Sequence, residues 1–223
     1  MTEPAVPADA LDLGSLLKLQ TWLSPAFPIG AFGYSHGLEA AIAAGLLREA
    51  SACHDWIESL LRHGSGWNDL VLLAAAHRAA HDPLRLAEIA ELGTALSGSA
   101  ERRRETSDLG EAFAAAAAPW GETATMPYPV AVGALAAREG VPLGSTAAAF
   151  AHAFAANLLS VCVRLVPLGQ REAVAILHRL EPVLEAAARH ASASTLDDLG
   201  SAAILSEIEA MRHETLETRL FRT

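Results

Sequence analysis

The sequence predicts an all-α protein, a compact single-domain bundle of about ten helices. Of the 223 residues, 52% are hydrophobic but only 5% are aromatic. Alanine is abundant while valine and isoleucine are sparse, a composition that favours helices over strands. Intervals between candidate helices are short, and neither strand-like alternation nor an Asn-Gly hairpin occurs. A chain of this length can bury one substantial core, so we expect one domain.

Apolar periodicity and turn residues place the individual helices. The first contains Leu16 to Leu23 and ends at the Ser24-Pro25 step, after which a Pro/Gly-rich loop follows. The remaining helical patterns cover 35–44, 51–63, 68–81, 82–93, 100–118, 128–139, 145–165, 171–189 and a last stretch from 195 or 201 to 211.

Residues with capping preferences mark several of these ends. Gly45 is expected as a left-handed C-terminal cap, and Asn68, Asp82 and Ser145 as N-caps. Asp82 is followed by a proline, which costs nothing at the first helical position. The domain prediction is therefore a disordered N-terminal lead-in at 1–12, a helical domain at 13–210 and a flexible, charged C-terminal tail at 211–223.

Composition also limits the possible partners and location. The formal net charge is −10 and no Lys/Arg-rich stripe occurs, so neither nucleic acid nor an anionic membrane is an expected partner. Cys53 and Cys162 lie far apart in sequence, which is typical of a reducing cytoplasm.

Residues 141–163 carry no charge and are long enough to cross a bilayer, but they contain polar residues and lack aromatic anchors. We expect a buried central helix there.

No sequence motif indicates catalysis. The chain contains no phosphate-binding loop, nucleophile elbow, H-E-x-x-H or paired-cysteine motif. His77 and His81 would share a helix face, which can hold two metal ligands but equally suits a solvated helix end. A ligand- or metal-binding helical bundle using His77, His81 and His152 is therefore the alternative function. A helical hydrolase or oxygenase-like enzyme is a third class, for which no nucleophile or cofactor motif is found.

Four segments in a fixed order resemble a known family. The first, LSPAFPIGAFGYSHGLE at 23–39, reads on its own as a rigid loop packed by its own rings and feeding a helix. It closely resembles the N-terminal signature of the urease accessory proteins UreF. The segments ERRRETSDLGEAF at 101–113, RLVPLGQ at 164–170 and MRHETLETRLFRT at 211–223 are similar to three further motifs of that family. The resemblance covers roughly residues 15–223, with arginine at 164 where lysine is usual.

The resemblance implies an all-α homodimer without catalytic activity. Such a protein docks on UreD (also called UreH), recruits the GTPase UreG and forms a pre-activation assembly with apo-urease in the cytoplasm. It implies no intrinsic cofactor, because nickel and GTP are handled by the partner proteins. No catalytic and no metal-binding residue is predicted.

The resemblance also suggests which residues contact partners. Tyr34, Ser35, His36 and Glu39 are expected to border an exposed groove, and Arg164 and Gln170 to surface together, with Arg164 contacting UreG. In the tail, Met211, Leu216 and Leu220 would form one apolar edge. The tail's predicted contact residues are Arg212, His213, Glu214, Arg219, Leu220 and Phe221. By contrast, Glu101, Arg102, Glu105 and Thr106 read as a solvated helix face.

Overall fold

A computed structural model of the protein describes residues 12–122 and 124–223. Within these ranges the chain forms ten α-helices and no strand, which confirms the predicted all-α bundle. The helices are α1 (Leu13–Trp22), α2 (Leu38–Ala43), α3 (Ala50–His63), α4 (Ser65–Arg78), α5 (Pro83–Ala95), α6 (Ala100–Ala116), α7 (Tyr128–Arg138), α8 (Leu143–Leu165), α9 (Gln170–Ala193) and α10 (Ile204–His213). Three single-turn 3₁₀ helices occupy Ala31–Gly33, Ala118–Trp120 and Leu196–Asp198.

Two of the four predicted caps are confirmed. The Asp82 carboxylate accepts a 3.0 Å hydrogen bond from the Arg85 backbone N–H, and Gly45 has φ of 76°. Asn68 is not a cap, because extended Gly64 lets α4 begin three residues earlier. Its side-chain oxygen instead accepts a hydrogen bond from the backbone N–H of Gly200. Ser145 is not a cap either, since α8 already begins at Leu143.

The centre of the bundle consists of α4, α7 and α8. Every residue of α7 from Pro129 to Ala136 is buried, so this helix is apolar on all sides. It lies unusually close to α4: a Cβ at Gly133 would stand 2.3 Å from the backbone oxygen of Leu73. Glycine at this position is therefore required by the packing of the two helices.

Helix α8 is the uncharged stretch that could have been a membrane span. In the described part of the chain it is the one helix long and apolar enough to cross a bilayer. It packs against α9, α4 and α2, and half of its most apolar window is buried inside the protein. The observed packing is that of the predicted buried central helix.

The predictions for the two ends of the chain have different outcomes. The predicted lead-in at 1–12 lies outside the described residues except for Asp12, which caps α1 by accepting the Ser15 backbone N–H. The expected flexible tail at 211–223 is not what the structure contains. Helix α10 continues through its first three residues, and the remainder folds back along the bundle. The reason is a set of polar contacts described below.

Candidate functional site

The C-terminal segment, residues 211–223, lies over the aromatic loop, residues 23–37, and the start of α2. The Arg222 backbone N–H donates to the Gly33 carbonyl at 2.8 Å, and the Ser35 N–H donates to the Thr223 carbonyl at 3.0 Å. The Ser35 hydroxyl donates to the same Thr223 oxygen. The backbone of Arg222 and Thr223 is therefore hydrogen-bonded to the loop, independently of the side chains at these two positions.

Glu39, on the first turn of α2, is the main acceptor for this segment. Its Oε1 accepts the Leu220 backbone N–H at 2.9 Å, and its Oε2 accepts the Phe221 N–H at 3.0 Å. The residue is only 6% exposed. Each carboxylate oxygen therefore has its own backbone donor in the C-terminal segment.

His213, the last residue of α10, is fully buried between two carboxylates. Its Nε2 lies 3.1 Å from Glu39 Oε2, and its Nδ1 lies 2.7 Å from Glu101 Oε2. Both ring nitrogens of His213 therefore have a carboxylate oxygen within hydrogen-bond distance. Arg219 donates to the other oxygen of Glu101 at 2.5 Å. His213, Arg219 and the two glutamates thus join α2, α6, α10 and the C-terminal segment.

A second polar cluster holds Thr223. Its hydroxyl accepts the His36 backbone N–H at 3.1 Å and donates to Glu105 Oε2 at 2.9 Å. The His36 ring contacts the other oxygen of Glu105 through Nδ1, and Ser65 Oγ through Nε2. Arg102 pairs with Glu105 at 2.9 Å. Burial alone would raise the pKa of Glu105, but Arg102 and His36 outweigh it and lower that pKa to about 2.

The backbone at this cluster is locally strained. His36 has φ of 61°, and Gly37 follows with φ of 76°. A Cβ at Gly37 would stand 2.7 Å from the backbone nitrogen of Ala210, so α10 crosses directly over this glycine. Non-glycine residues in the left-handed region concentrate where the surrounding structure fixes them for a purpose. Here the conformation turns both the backbone N–H and the ring of His36 towards the C-terminal segment and α6.

Aromatic rings and arginine side chains also hold the C-terminal segment on the bundle. The buried ring of Phe221 lies 5.2 Å from the guanidinium carbon of Arg164, which also donates to the Phe32 carbonyl at 3.2 Å. Arg222 stands over the Tyr34 ring at 5.8 Å, within cation–π range. Arg164 therefore holds the segment in place. Gln170, at the start of α9, is exposed.

The opposite side of the segment faces away from the bundle. Leu220 is 74% exposed and Met211 49% exposed, while Phe32 of the aromatic loop is 64% exposed. The exposed polar residues of the segment are Arg212, Glu214, Thr215, Glu217, Thr218, Arg219 and Arg222. Of these, Arg219 and Arg222 also contact the bundle through Glu101 and Tyr34. The predicted apolar edge is thus present at Met211 and Leu220, on a segment that is ordered.

Two sequence-based interpretations need correction. Tyr34, Ser35, His36 and Glu39 do not border an exposed groove: each is at most 6% exposed, because the C-terminal segment covers them. Nor are Glu105 and Thr106 part of a solvated face, since both are buried at the centre of the second cluster. A charge pattern along α6 cannot reveal this, because apart from Arg102 the partners of Glu101 and Glu105 are 69 to 118 residues away.

The histidines considered as metal ligands have separate surroundings. His77 Nε2 donates to the Val141 carbonyl at 2.8 Å, and burial lowers the pKa of this ring. His81 lies beyond the end of α4, so the two do not share a helix face. His152 is exposed on α8. Elsewhere in the described chain, three side chains of α3 could offer donor atoms within 4.8 Å of one another: His54, Asp55 and Glu58. One oxygen of Glu58 is already paired with Arg62.

The fold and this site define a class: an all-helical protein whose own C-terminal segment is hydrogen-bonded to its core and has an exposed outer face.

The UreF family model matches residues 47–181. The chain is 52% identical to the urease accessory protein UreF of Agrobacterium fabrum over 217 residues, covering 95% of this chain and 97% of that protein. It is 51% identical to UreF of Rhizobium etli strain CIAT 652 over 95% of this chain and 98% of that protein. With UreF 1 of Brucella canis the identity is 49%, over 94% of each chain.

These matches show that the chain belongs to the UreF family of urease accessory proteins. The resemblance found in the four motifs is thereby confirmed. An accessory role in urease maturation follows from the family.

Proposed function

We propose that this protein is a non-enzymatic scaffold that bridges UreD/UreH and the GTPase UreG during GTP-dependent insertion of nickel into apo-urease. It acts in the cytoplasm as a homodimer and carries no cofactor of its own. The observation that carries the proposal is the latched C-terminal segment. Its inner side is fixed by Glu39, Glu101 and Glu105, while its outer side leaves apolar side chains in solvent.

An ordered segment is a better docking surface than a flexible one. A tail that orders only on binding loses conformational entropy at that moment, whereas a pre-ordered surface has already lost it. Exposed Met211 and Leu220, flanked by Arg212 and Arg219, form a surface with apolar anchors and a charged rim. That composition suits a protein partner. We assign this outer side to UreD/UreH.

Arg164 and Gln170 are proposed to face UreG. Arg164 is exposed although its guanidinium contacts Phe32 and Phe221, so one edge of it stays accessible. Arg164 also contacts Phe221 of the C-terminal segment. Binding of UreG to Arg164 would therefore depend on this segment being docked on the bundle. Arginine is suited to this double task, since its planar group stacks on a ring and donates hydrogen bonds at its edge.

The test is co-expression with UreD/UreH and UreG followed by affinity purification. Leu220→Asp places a charge on the outer side but leaves the backbone contacts of residue 220 with Glu39 intact. We expect this variant to lose UreD/UreH while its melting temperature stays close to that of wild type. Leu84→Asp is the matched control, because Leu84 is 81% exposed on α5 and distant in sequence from the segment. Retention of UreD/UreH by Leu220→Asp would overturn the assignment.

A truncation is a poor version of this experiment. Ending the chain at Ala210 removes His213, which is fully buried, and leaves Glu39 and Glu101 without their shared histidine partner. Unpaired buried carboxylates are costly, so lost binding could reflect a damaged core. Substitutions on the outer side separate docking from folding.

UreG binding is tested by Arg164→Ala, with Arg171→Ala as the control on the exposed start of α9. Wild type and the control should bind UreG equally, and Arg164→Ala should bind it more weakly. Equal affinity in all three proteins would remove Arg164 from the interface. The non-enzymatic role is tested by urease activation: the chain should promote activation of apo-urease only together with UreD/UreH and UreG.

A further inference from the structure

Helix α3 carries three side chains whose potential metal-ligand atoms converge at its surface. His54, Asp55 and Glu58 each offer one nitrogen or oxygen atom, and these three atoms all lie within 4.8 Å of one another. The positions are neighbours on the helix surface, because residues three and four apart lie one turn above each other. The backbone that presents them is fixed, since all three lie inside the 14-residue helix. The scaffold role proposed above does not use this group.

The distances between these atoms approach those of ligands around one metal ion. His54 Nδ1 lies 3.0 Å from Asp55 Oδ1 and 3.8 Å from Glu58 Oε2. Nitrogen and oxygen ligands stand about 2.0–2.2 Å from an ion such as Zn²⁺, so adjacent ligands are roughly 2.8–3.6 Å apart. The first separation falls in this range and the second slightly exceeds it. Small side-chain rotations would therefore bring all three atoms onto one ion.

A hydrogen bond explains only part of this arrangement. The Nδ1 atom of His54 carries at most one hydrogen, which it can donate to Asp55 at 3.0 Å. Glu58 Oε2, at 3.8 Å, is beyond hydrogen-bond distance from the same nitrogen. A second carboxylate oxygen thus approaches the pair without bonding to it, and a cation between the three atoms would attract both carboxylates.

The two oxygens of Glu58 have separate neighbours. Its Oε1 accepts a hydrogen bond from Arg62 Nε at 2.7 Å, which leaves Oε2 on the side of His54. A carboxylate that binds a metal through one oxygen is commonly hydrogen-bonded through the other, and this bond fixes its orientation. Arg62 is therefore a positioning residue for Glu58.

The exposure of the three side chains suits an ion that enters from solvent. Asp55 is 78% exposed, so the ion can reach the group directly. The side chains of His54 and Glu58 are only 18% and 30% exposed, so their surroundings restrict their motion. Restricted ligands lose less conformational entropy when the ion binds.

We propose that His54, Asp55 and Glu58 form a surface site for a divalent transition-metal ion. The ligands are His54 Nδ1 and one oxygen of each carboxylate, and water completes the coordination. One imidazole nitrogen with two carboxylates suits ions such as Zn²⁺, whereas Mg²⁺ prefers oxygen ligands alone.

The proposal is tested by calorimetry on the full chain, without an affinity tag and after removal of metals with a chelator. The probes are Zn²⁺ and Mg²⁺. We expect Zn²⁺ to saturate one site with an affinity at least about tenfold higher than that of Mg²⁺. Zn²⁺ binding no tighter than Mg²⁺ binding would overturn the proposal.

Variants locate the site. His54→Ala should weaken Zn²⁺ binding at least about tenfold, as should Asp55→Asn and Glu58→Gln, which keep the size of the side chain. Asp55→Asn changes an exposed residue, so this test does not depend on the stability of the His54 variant. The matched control is His178→Ala on α9, because His178 is an exposed helix histidine 3.2 Å from a single carboxylate, that of Glu181. Zn²⁺ affinity equal to wild type in all three α3 variants would overturn the assignment.

NMR tests which nitrogen of His54 binds the ion. In long-range ¹H–¹⁵N spectra of the full chain, saturating Zn²⁺ should shift the Nδ1 resonance of His54 to that of a metal-bound nitrogen, because Nδ1 is the atom that faces both carboxylates. The ring of His178 should keep its spectrum. Ligation through Nε2 of His54, or an unchanged His54 ring, would contradict the geometry on which the proposal rests.

Discussion

Helix α8 and the C-terminal segment are both ordered parts of this protein, but different forces hold them. Helix α8 runs to Val163 without a charged residue and is held by apolar packing against α9 and α4. The C-terminal segment has little regular structure after His213 and is held by buried carboxylates. Apolar packing tolerates small adjustments, whereas a buried carboxylate needs every partner in place. The core should therefore respond to lost volume, and the segment to lost charge.

The largest effect is expected in the core. Leu158→Ala in α8 removes a side chain that is 1% exposed and should lower the free energy of unfolding by roughly 2–5 kcal/mol. Leu84→Ala, at an exposed position of α5, should change it by no more than about 0.5 kcal/mol. Urea unfolding of both variants measures the difference. A Leu158→Ala protein as stable as wild type would mean that α8 is not a core helix.

Because of Glu105, the free energy of unfolding should depend on pH. Its pKa is lowered from the usual 4.5 to about 2, so its ionised form stabilises the folded state above pH 4.5. This contribution, about 3 kcal/mol, should be lost as the pH falls from 4.5 through 2. The free energy difference between wild type and Glu105→Gln should therefore be large at pH 6 and shrink towards pH 2. A difference that stays constant over this range would contradict the assignment.

Glu39→Gln should loosen the segment more than the core. The amide can offer only one acceptor oxygen, so the N–H of either Leu220 or Phe221 must face an NH₂ group. We expect a loss of roughly 1.5–3 kcal/mol, as for hydrogen bonds to a charged group. Limited proteolysis should then cleave the C-terminal segment faster. Glu217→Gln, the same change at an exposed position of the segment, is the control; equal cleavage of both variants would argue against Glu39 as the anchor.

The smallest stability effect is expected on the outer side of the segment. Leu220→Ala removes a side chain that is 74% exposed, and unfolding should shift by less than about 0.5 kcal/mol. Its binding to UreD/UreH should nevertheless weaken, because exposed apolar anchors contribute strongly to interfaces. A clear drop in melting temperature would show that the Leu220 side chain helps to hold the segment on the bundle.

The same contrast explains what the sequence could predict. All ten helices were anticipated, since their apolar periodicity and caps such as Asp82 are local signals. The burial of Glu39, Glu105 and His213 was not anticipated. Apart from Arg102, which pairs with Glu105, the partners named above lie 69 to 182 residues away, and a charged residue on a helix looks solvated until these partners are located. One local clue was available: the His36-Gly37 turn before α2, which needs a left-handed backbone.

The central claim is that the C-terminal segment is docked on the bundle in the isolated protein. Hydrogen exchange of the full-length chain at neutral pH, without partners, tests it most directly. The account predicts that the amides of Leu220, Phe221 and Arg222, which donate to Glu39 and Gly33, exchange at least about tenfold more slowly than in an unstructured peptide. Exchange of these three amides at the rate of an unstructured peptide would contradict it.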